Sequence, residues 1–397
     1  MGIVIKEKNS LSAILLVTGC CIGAGMIGLP VVSAAAGFIP SSLAMVLCYF
    51  FSTGTGLLIL EATLWFEERV NLISMAGFAL GKTGRYMTWF LFLFLFYCVF
   101  VAYVDGGGQL FSQAISFLIS RPINREIGII CCVASVGLIS YCGVRAVSVV
   151  SRLFLVGMGF SYCALLSFGL PHVEGDRLLY TNWMAALSTL PILLICFGYQ
   201  NLLPTLVYYA KKNIAVIRIA IFAGNLIPFV IYFLWNFVIL GILPEPNSPD
   251  FAAATNQSNM VTDLLEKASQ STSIILLANV FAFFAVLTPF TANTVAFVDF
   301  LKDGFKIAKE SRFDILIYGL VLAPPMIVSF IYPDAFLKAL AIAGGFADVL
   351  LFGILPVCIV WIGRYIKKTQ GPYTAPGGKL FLLTILFLSI GFLLIGK

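Results

Sequence analysis

Long apolar runs, broken by short charged or turn-rich stretches, follow one another along the chain. Each is long enough to cross a bilayer as a helix, which takes roughly 17–25 residues. Their limits are 11–36, 40–64, 87–110, 127–144, 149–170, 184–208, 215–242, 273–299, 314–332, 337–362 and 379–396, which makes eleven spans. A tight turn at Gly37 and Pro40 joins the first two. Residues 67–86 form a polar connector, and the spacing predicts a short interfacial helix over 72–80. The third span continues past Gly106, Gly107 and Gly108 toward Leu118, and the longest loop, 244–272, carries Pro, Asn and Ser. No polar stretch is long enough to form a soluble domain.

Composition agrees with this pattern. The chain is 60% hydrophobic and 11% charged, against about 25% charged in soluble domains, so the bilayer is its solvent and its largest partner. The first apolar run is too long for a signal-peptide core and no small-residue cleavage site follows it, so no cleaved leader is expected. The net charge of +6 sits in short loops, where it speaks to orientation and not to nucleic acid. With the N-terminus in the cytoplasm, only Arg121, Arg125, Arg177, Lys267, Lys338 and Lys397 fall outside, and the other 18 of the 24 Lys and Arg fall inside. Eleven spans then put the C-terminus outside. The ten cysteines all lie in apolar runs without metal-ligand spacing and read as small core hydrophobes.

Two spans are interrupted. Residues 19–30 hold four glycines and Pro30 within twelve positions, and Gly and Pro both weaken a helix interior. Freed backbone groups survive in lipid only beside protein or a polar cavity, so this segment reads either as a discontinuous helix holding a solute or as a small-residue packing face. The sixth span carries Pro191, then Phe197, Gly198, Tyr199, Gln200 and Asn201, then Pro204, and is broken in the same manner. Broken helices at matching places, five spans apart, point to a transporter built from two inverted halves. The halves are 11–170 and 184–362, with 379–396 as an extra helix in a single membrane domain.

The residues in these segments also resemble a known family. Ile22-Gly23-Ala24-Gly25-Met26 with Gly28-Leu29-Pro30 is similar to the first-helix signature of the bacterial hydroxy/aromatic amino acid permeases, within the amino acid/polyamine transporter superfamily. Phe197-Gly198-Tyr199 with Pro204 resembles their sixth helix, Leu57-Leu58-Ile59-Leu60-Glu61-Ala62 their second, Gly106-Gly107-Gly108 their third, and Phe297-Val298-Asp299-Phe300-Leu301 the end of their eighth. The resemblance spans most of the chain in order, and the tyrosine-specific members look most alike. It implies the leucine-transporter-type fold, all-α with a five-plus-five inverted repeat. It further implies import of aromatic amino acids, tyrosine first, by proton symport with alternating access across the inner membrane. Two positions depart from the family pattern: Gln200 stands where the sixth helix carries His after the aromatic residue, and Asp105 stands where a small residue is frequent.

An amino acid brings a carboxylate, an ammonium and a side chain. Half-helix N-termini suit the carboxylate and half-helix C-termini the ammonium. Backbone at Ile22, Gly23, Ala24, Gly25 and Met26 is therefore expected at the carboxylate, and backbone at Phe197 and Gly198 at the ammonium. Tyr199, Gln200 and Asn201 are candidates for side-chain recognition, each equally readable as an interhelical hydrogen bond. Ionisable residues inside spans cost roughly 2.5–3.5 kcal/mol at mid-helix, which makes Glu61, then Asp105 and Asp348, candidates for carrying a coupling proton. Thr288 and Thr291 would serve a sodium or proton relay, unless they bond their own helix.

Other classes lack parts. The only histidine is His172, in a loop, so neither an acid/base set nor a metal site is readable. No cofactor is expected beyond an ion gradient, proton before sodium, and no obligate protein partner is evident. The alternatives are a sodium-coupled or exchanging permease for another neutral amino acid such as tryptophan or serine and, outside transport, a channel or scaffold.

Overall fold

The structure, a computed structural model, describes residues 2–244, 248–249, 260–268, 271–305 and 314–396, with side chains described from residue 10 onward except 267 and 268. Most of the polar loop at 244–272, together with Lys306, Lys309, Arg312 and Lys397 of the orientation argument, lies outside that description.

Apolar sequence in lipid must satisfy its backbone internally, and the described residues do so as helices. In order they are α1 (Gly2–Cys21), α2 (Gly25–Ala36), α3 (Phe38–Leu64), α4 (Leu72–Ile119), α5 (Arg125–Tyr141), α6 (Val144–Gly169), α7 (Trp183–Cys196), α8 (Leu203–Tyr209), α9 (Ile214–Ile242), α10 (Val261–Ala268), α11 (Thr272–Phe305), α12 (Asp314–Ile331), α13 (Phe336–Ile366) and α14 (Gly378–Ile395). Asparagines start three of them. Asn71, Asn182 and Asn213 accept from Ser74 N, Ala185 N and Val216 N at 2.9, 3.1 and 3.3 Å, satisfying amides that a helix start leaves open. Gly81, at φ 71° and ψ −159°, separates the interfacial stretch 72–80 from the membrane part of α4, as the polar connector predicts.

Ten of the eleven expected spans stand out by length and apolar composition. Among the described residues nine helices are long and apolar enough to cross a membrane, and the bent pair Ser10–Cys21 and Gly25–Ala36 makes a tenth. The span expected at 127–144 is α5, whose 17 residues reach about 26 Å at 1.5 Å per residue, the short end of the roughly 17–25 residues that cross a bilayer.

Both breaks lie together in the core. α2 packs against α7, α1 against α9, and α13 against α7, α4 and α14. From α9 the buried Tyr232 hydroxyl stands 2.8 Å from Cys21 O and 3.2 Å from Cys196 O, within reach of the last carbonyls of both α1 and α7. Trp235 donates to Met26 O at 3.0 Å. One helix thus braces both interruptions.

Candidate functional site

At residues 22–24 α1 ends and α2 starts at a bend of 58°. Here the amides of Gly23 and Ala24 meet no acceptor among the described residues. They stand at the N-terminus of α2, where the helix dipole adds positive potential. At residues 197–199 α7 ends, and a 3-10 turn, Gln200–Leu202, leads into α8. Its carbonyls are mostly taken: Cys196 O by Tyr232, and Phe197 O by Ser52 Oγ at 2.8 Å. Gly198 O has only the Cys20 thiol, at 3.9 Å.

A cavity of about 340 Å³ lies between the breaks, within the ~300–1,000 Å³ of small-molecule sites. Ile22, Gly23, Ala24 and Gly25 line one side, Gly198 and Asn201 another, with Cys20, Thr288, Asn293 and Asp348 around them. Phe92, Leu95, Phe96, Val99 and Tyr103 of α4 and Phe352 of α13 supply an aromatic wall. Phe96 is held by stacking on Phe297 at 4.7 Å, and Tyr103 by Asn293, whose amide donates to its hydroxyl at 3.2 Å.

Gly25 is a contact between helices, not open space. A Cβ built there would stand 2.6 Å from Cys196 Sγ, so the bare backbone lets α2 touch α7. The side chains of Met26 and Phe197 are fully buried behind the breaks.

Tyr199 and Gln200 correct the side-chain expectation, since both turn away from the cavity toward α3. The Tyr199 hydroxyl donates to Ser52 O at 3.1 Å, and the Gln200 amide donates to Ser52 Oγ and Thr55 Oγ1 at 3.0 and 3.2 Å. Only Asn201 of the three faces the cavity. Cys20, Cys142 and Cys163 are exposed and depart from the core reading of the cysteines, and the Cys20 thiol lies at the cavity 3.8 Å from Asn201 Oδ1.

The acidic candidates also separate. Glu61 is already engaged: Arg364 donates Nε to Oε1 at 2.7 Å and Nη2 to Oε2, and Ala375 N donates to Oε2 at 2.7 Å. Asp105 is paired with Arg125 and accepts from Phe336 N at 2.9 Å. These two clamps hold opposite ends of α13. Asp348, in the stretch Ala343–Ile354 where α13 winds in wider π turns, is buried, and its Oδ1 has no hydrogen-bond partner among the described residues. The Thr288 and Thr291 hydroxyls donate to Phe284 O and Leu287 O of their own helix at 2.6 and 2.9 Å, and only Thr288 reaches the cavity.

The aromatic wall escaped sequence reasoning. Residues 92, 95, 96, 99 and 103 recur at three- and four-residue spacing, which marks one helix face. Phe94, Phe100 and the aliphatic residues between them make that stretch apolar all round, which hides the stripe.

Comparison with known proteins places this geometry among transporters. Residues 6–396 match the tryptophan/tyrosine permease family. The tyrosine-specific transport system 1 of Haemophilus influenzae is 26% identical, covering 96% of this chain and 95% of its own. The tryptophan-specific transport protein of the same organism is 28% identical, with 96% and 94% covered. The low affinity tryptophan permease of Escherichia coli (strain K12) is 26% identical, with 96% and 94% covered. Among solved structures, that of MhsT in complex with L-phenylalanine is 12% identical, with a TM-score of 0.65 over 97% of each chain. At that identity the likeness speaks for the fold, and it bears out the leucine-transporter-type architecture that the family resemblance implies.

Proposed function

The chain belongs to the tryptophan/tyrosine permease family, integral membrane transport proteins and not enzymes, and on that footing we propose that it imports aromatic amino acids, tyrosine before tryptophan, as a secondary active transporter. The observation that carries this reading is the cavity, where two amides without acceptors and a nearly free carbonyl share one aromatic-walled space. The carboxylate docks on Gly23 and Ala24 N–H, the ammonium near Gly198 O, and the ring against Phe92, Phe96, Tyr103 and Phe352. Relatives named for tyrosine and for tryptophan stand at 26% and 28% identity, so identity does not choose between them, and the preference for tyrosine rests on the motif resemblance.

Alternating access moves the two halves, 11–170 and 184–362, about the cavity, with the N-terminus cytoplasmic and the C-terminus outside the inner membrane. A proton gradient drives it. The proton is assigned to Glu61, where protonation removes the charge that holds Arg364 and releases one end of α13. Sodium is the weaker choice because the Thr288 and Thr291 hydroxyls already serve their own helix.

Uptake of labelled tyrosine into proteoliposomes, with imposed pH or sodium gradients and a panel of competitors, tests this. Tyrosine, tryptophan and phenylalanine are expected to compete, and accumulation is expected to follow the pH gradient. Serine competing as well as tyrosine would overturn the substrate, and accumulation on sodium alone would overturn the ion. Flux that never exceeds equilibration would make the protein a channel.

A further inference from the structure

Asp348 is a buried carboxyl with 3% of its surface exposed, placed on the cavity wall. Among the described residues its Oδ1 has no hydrogen-bond partner, and no Lys, Arg or His lines the cavity. Its counterparts Glu61 and Asp105 each have an arginine and a backbone amide. An uncompensated buried carboxylate costs several kcal/mol, so the site calls for a cation from outside the chain.

The surroundings identify that cation. A point one bond above Gly198 Cα, where a side chain would begin, is 3.1 Å from Ile195 O and 3.4 Å from Asp348 Oδ1. Gly198 O is beside it, with only the Cys20 thiol at 3.9 Å. Three acceptors therefore border one small space at the C-terminus of α7, where the helix dipole is negative. Three acceptors around one centre suit the three N–H bonds of a primary ammonium. The fold holds Asp348 there: Gly344 lies against the Pro191 carbonyl, a Cβ on Gly345 would be 3.3 Å from the Pro191 ring, and the two carboxylate–arginine clamps fix the ends of α13.

We propose that Asp348 is the counter-charge for the substrate's ammonium group and so selects α-amino acids over the corresponding acids. This rests on the reading that the cavity binds an amino acid. It also separates two roles that one carboxyl cannot fill well together. A cation docking at a carboxylate competes with a proton for it, so the residue that reads the ammonium is a poor seat for a co-transported proton, and coupling stays with another group.

The test is equilibrium binding to the purified full chain in lipid nanodiscs, using tyrosine, tyramine and 3-(4-hydroxyphenyl)propionate. Asp348→Asn keeps the shape and removes the charge. It is expected to weaken tyrosine and tyramine by about 10- to 100-fold, the loss of one charge-assisted contact, while leaving the acid within about 2-fold. Gly198→Ala, whose new methyl group fills the shared space, is expected to show the same selectivity with the carboxylate retained, and it serves if Asp348→Asn does not fold. Equal weakening of all three ligands, or of none, overturns the assignment. So does tyrosine binding that requires sodium in the wild type and loses that requirement in Asp348→Asn, because the carboxylate would then hold a metal ion. A wild type that binds none of the three overturns the amino acid reading itself, a failure visible before any variant is made.

Discussion

At the first break the chain bends by 58° and leaves the Gly23 and Ala24 amides bare, whereas at the second the neighbours take most of what the break releases. Ser52 takes Phe197 O, Tyr232 reaches Cys196 O, and Tyr199 and Gln200 spend their polar groups on α3. Both segments look alike in sequence, an interruption at glycine ahead of Pro, with four glycines in the first and Gly198 alone in the second. The first offers backbone donors and no polar side chain except the Cys20 thiol. The second is mainly a joint, offering Gly198 O, Asn201 and, through its neighbour α13, Asp348. Two helix interruptions at one cavity therefore need not be two equivalent halves of a binding site: one supplies bare backbone donors, and the other is a braced joint that keeps only a few acceptors open to the cavity.

The sharpest way to break that comparison is at Gly25, where the two segments touch. Gly25→Leu is expected to abolish uptake while the protein still inserts. The side chain would collide with Cys196, and so would the single methyl of Gly25→Ala, at 2.6 Å from the sulfur. Removing the sulfur leaves Cys196 Cα at 3.7 Å, an ordinary contact. Gly25→Ala is thus expected to lose at least about 10-fold in uptake, and Gly25→Ala with Cys196→Ala to recover much of it, a coupling of the size contacting residues show. Uptake rates normalised to membrane content decide the matter. No recovery would mean that Gly25 matters for the bend and not for the contact.

Next in size is the clamp at one end of α13. Glu61→Gln leaves Arg364, with 10% of its side chain exposed, without its carboxylate, and breaking a buried pair costs about 3–5 kcal/mol. A marked fall in melting temperature is expected, with residual uptake that no longer answers an imposed pH gradient. Stability lost with the pH response intact would make the clamp purely structural. Asp105→Asn, at the opposite end, is expected to destabilise similarly and to keep the pH response.

The two kinds of feature were not equally legible in the sequence. Glycine and proline act on the backbone where they stand, so both breaks and the Gly81 hinge could be read locally. So could the membrane class, which follows from composition. Side-chain direction could not, since residues 199–201 turn with the backbone and a rotation of one position decides whether Gln200 or Asn201 meets the ligand. Pairing was equally hidden. Glu61 and Arg364 are 303 positions apart, and a carboxyl in a span looks the same whether it is clamped, as Glu61 is, or unpartnered, as Asp348 is.

Residues 200 and 201 turn that rotation into a measurement. Asn201→Ala removes a polar group from the cavity wall and is expected to raise the tyrosine KM several-fold at little cost to stability. Gln200→Ala takes one donor each from Ser52 and Thr55, whose hydroxyls still donate to Phe197 O and Ser52 O, and is expected to lower stability by about 1–2 kcal/mol, with KM nearly unchanged. The reverse pattern would place Gln200 at the ligand.

The smallest expected effect belongs to Tyr199, the aromatic residue that follows Gly198 at the second break. Its ring is fully buried, and its tip fills the notch left by the missing side chain of Gly56, where a Cβ would stand 3.2 Å from the ring carbon that bears the hydroxyl. The hydroxyl donates to Ser52 O at 3.1 Å, so the residue bolts the second break to α3. Tyr199→Phe removes that bond and keeps the ring. The Ser52 carbonyl loses one donor, and a typical buried hydrogen bond contributes about 1 kcal/mol net. A lower melting temperature, with KM and maximal rate both within about 2-fold of the wild type, is the expected result. A clear rise in KM with stability unchanged would put the phenol in contact with substrate and would make the second break a binding surface like the first.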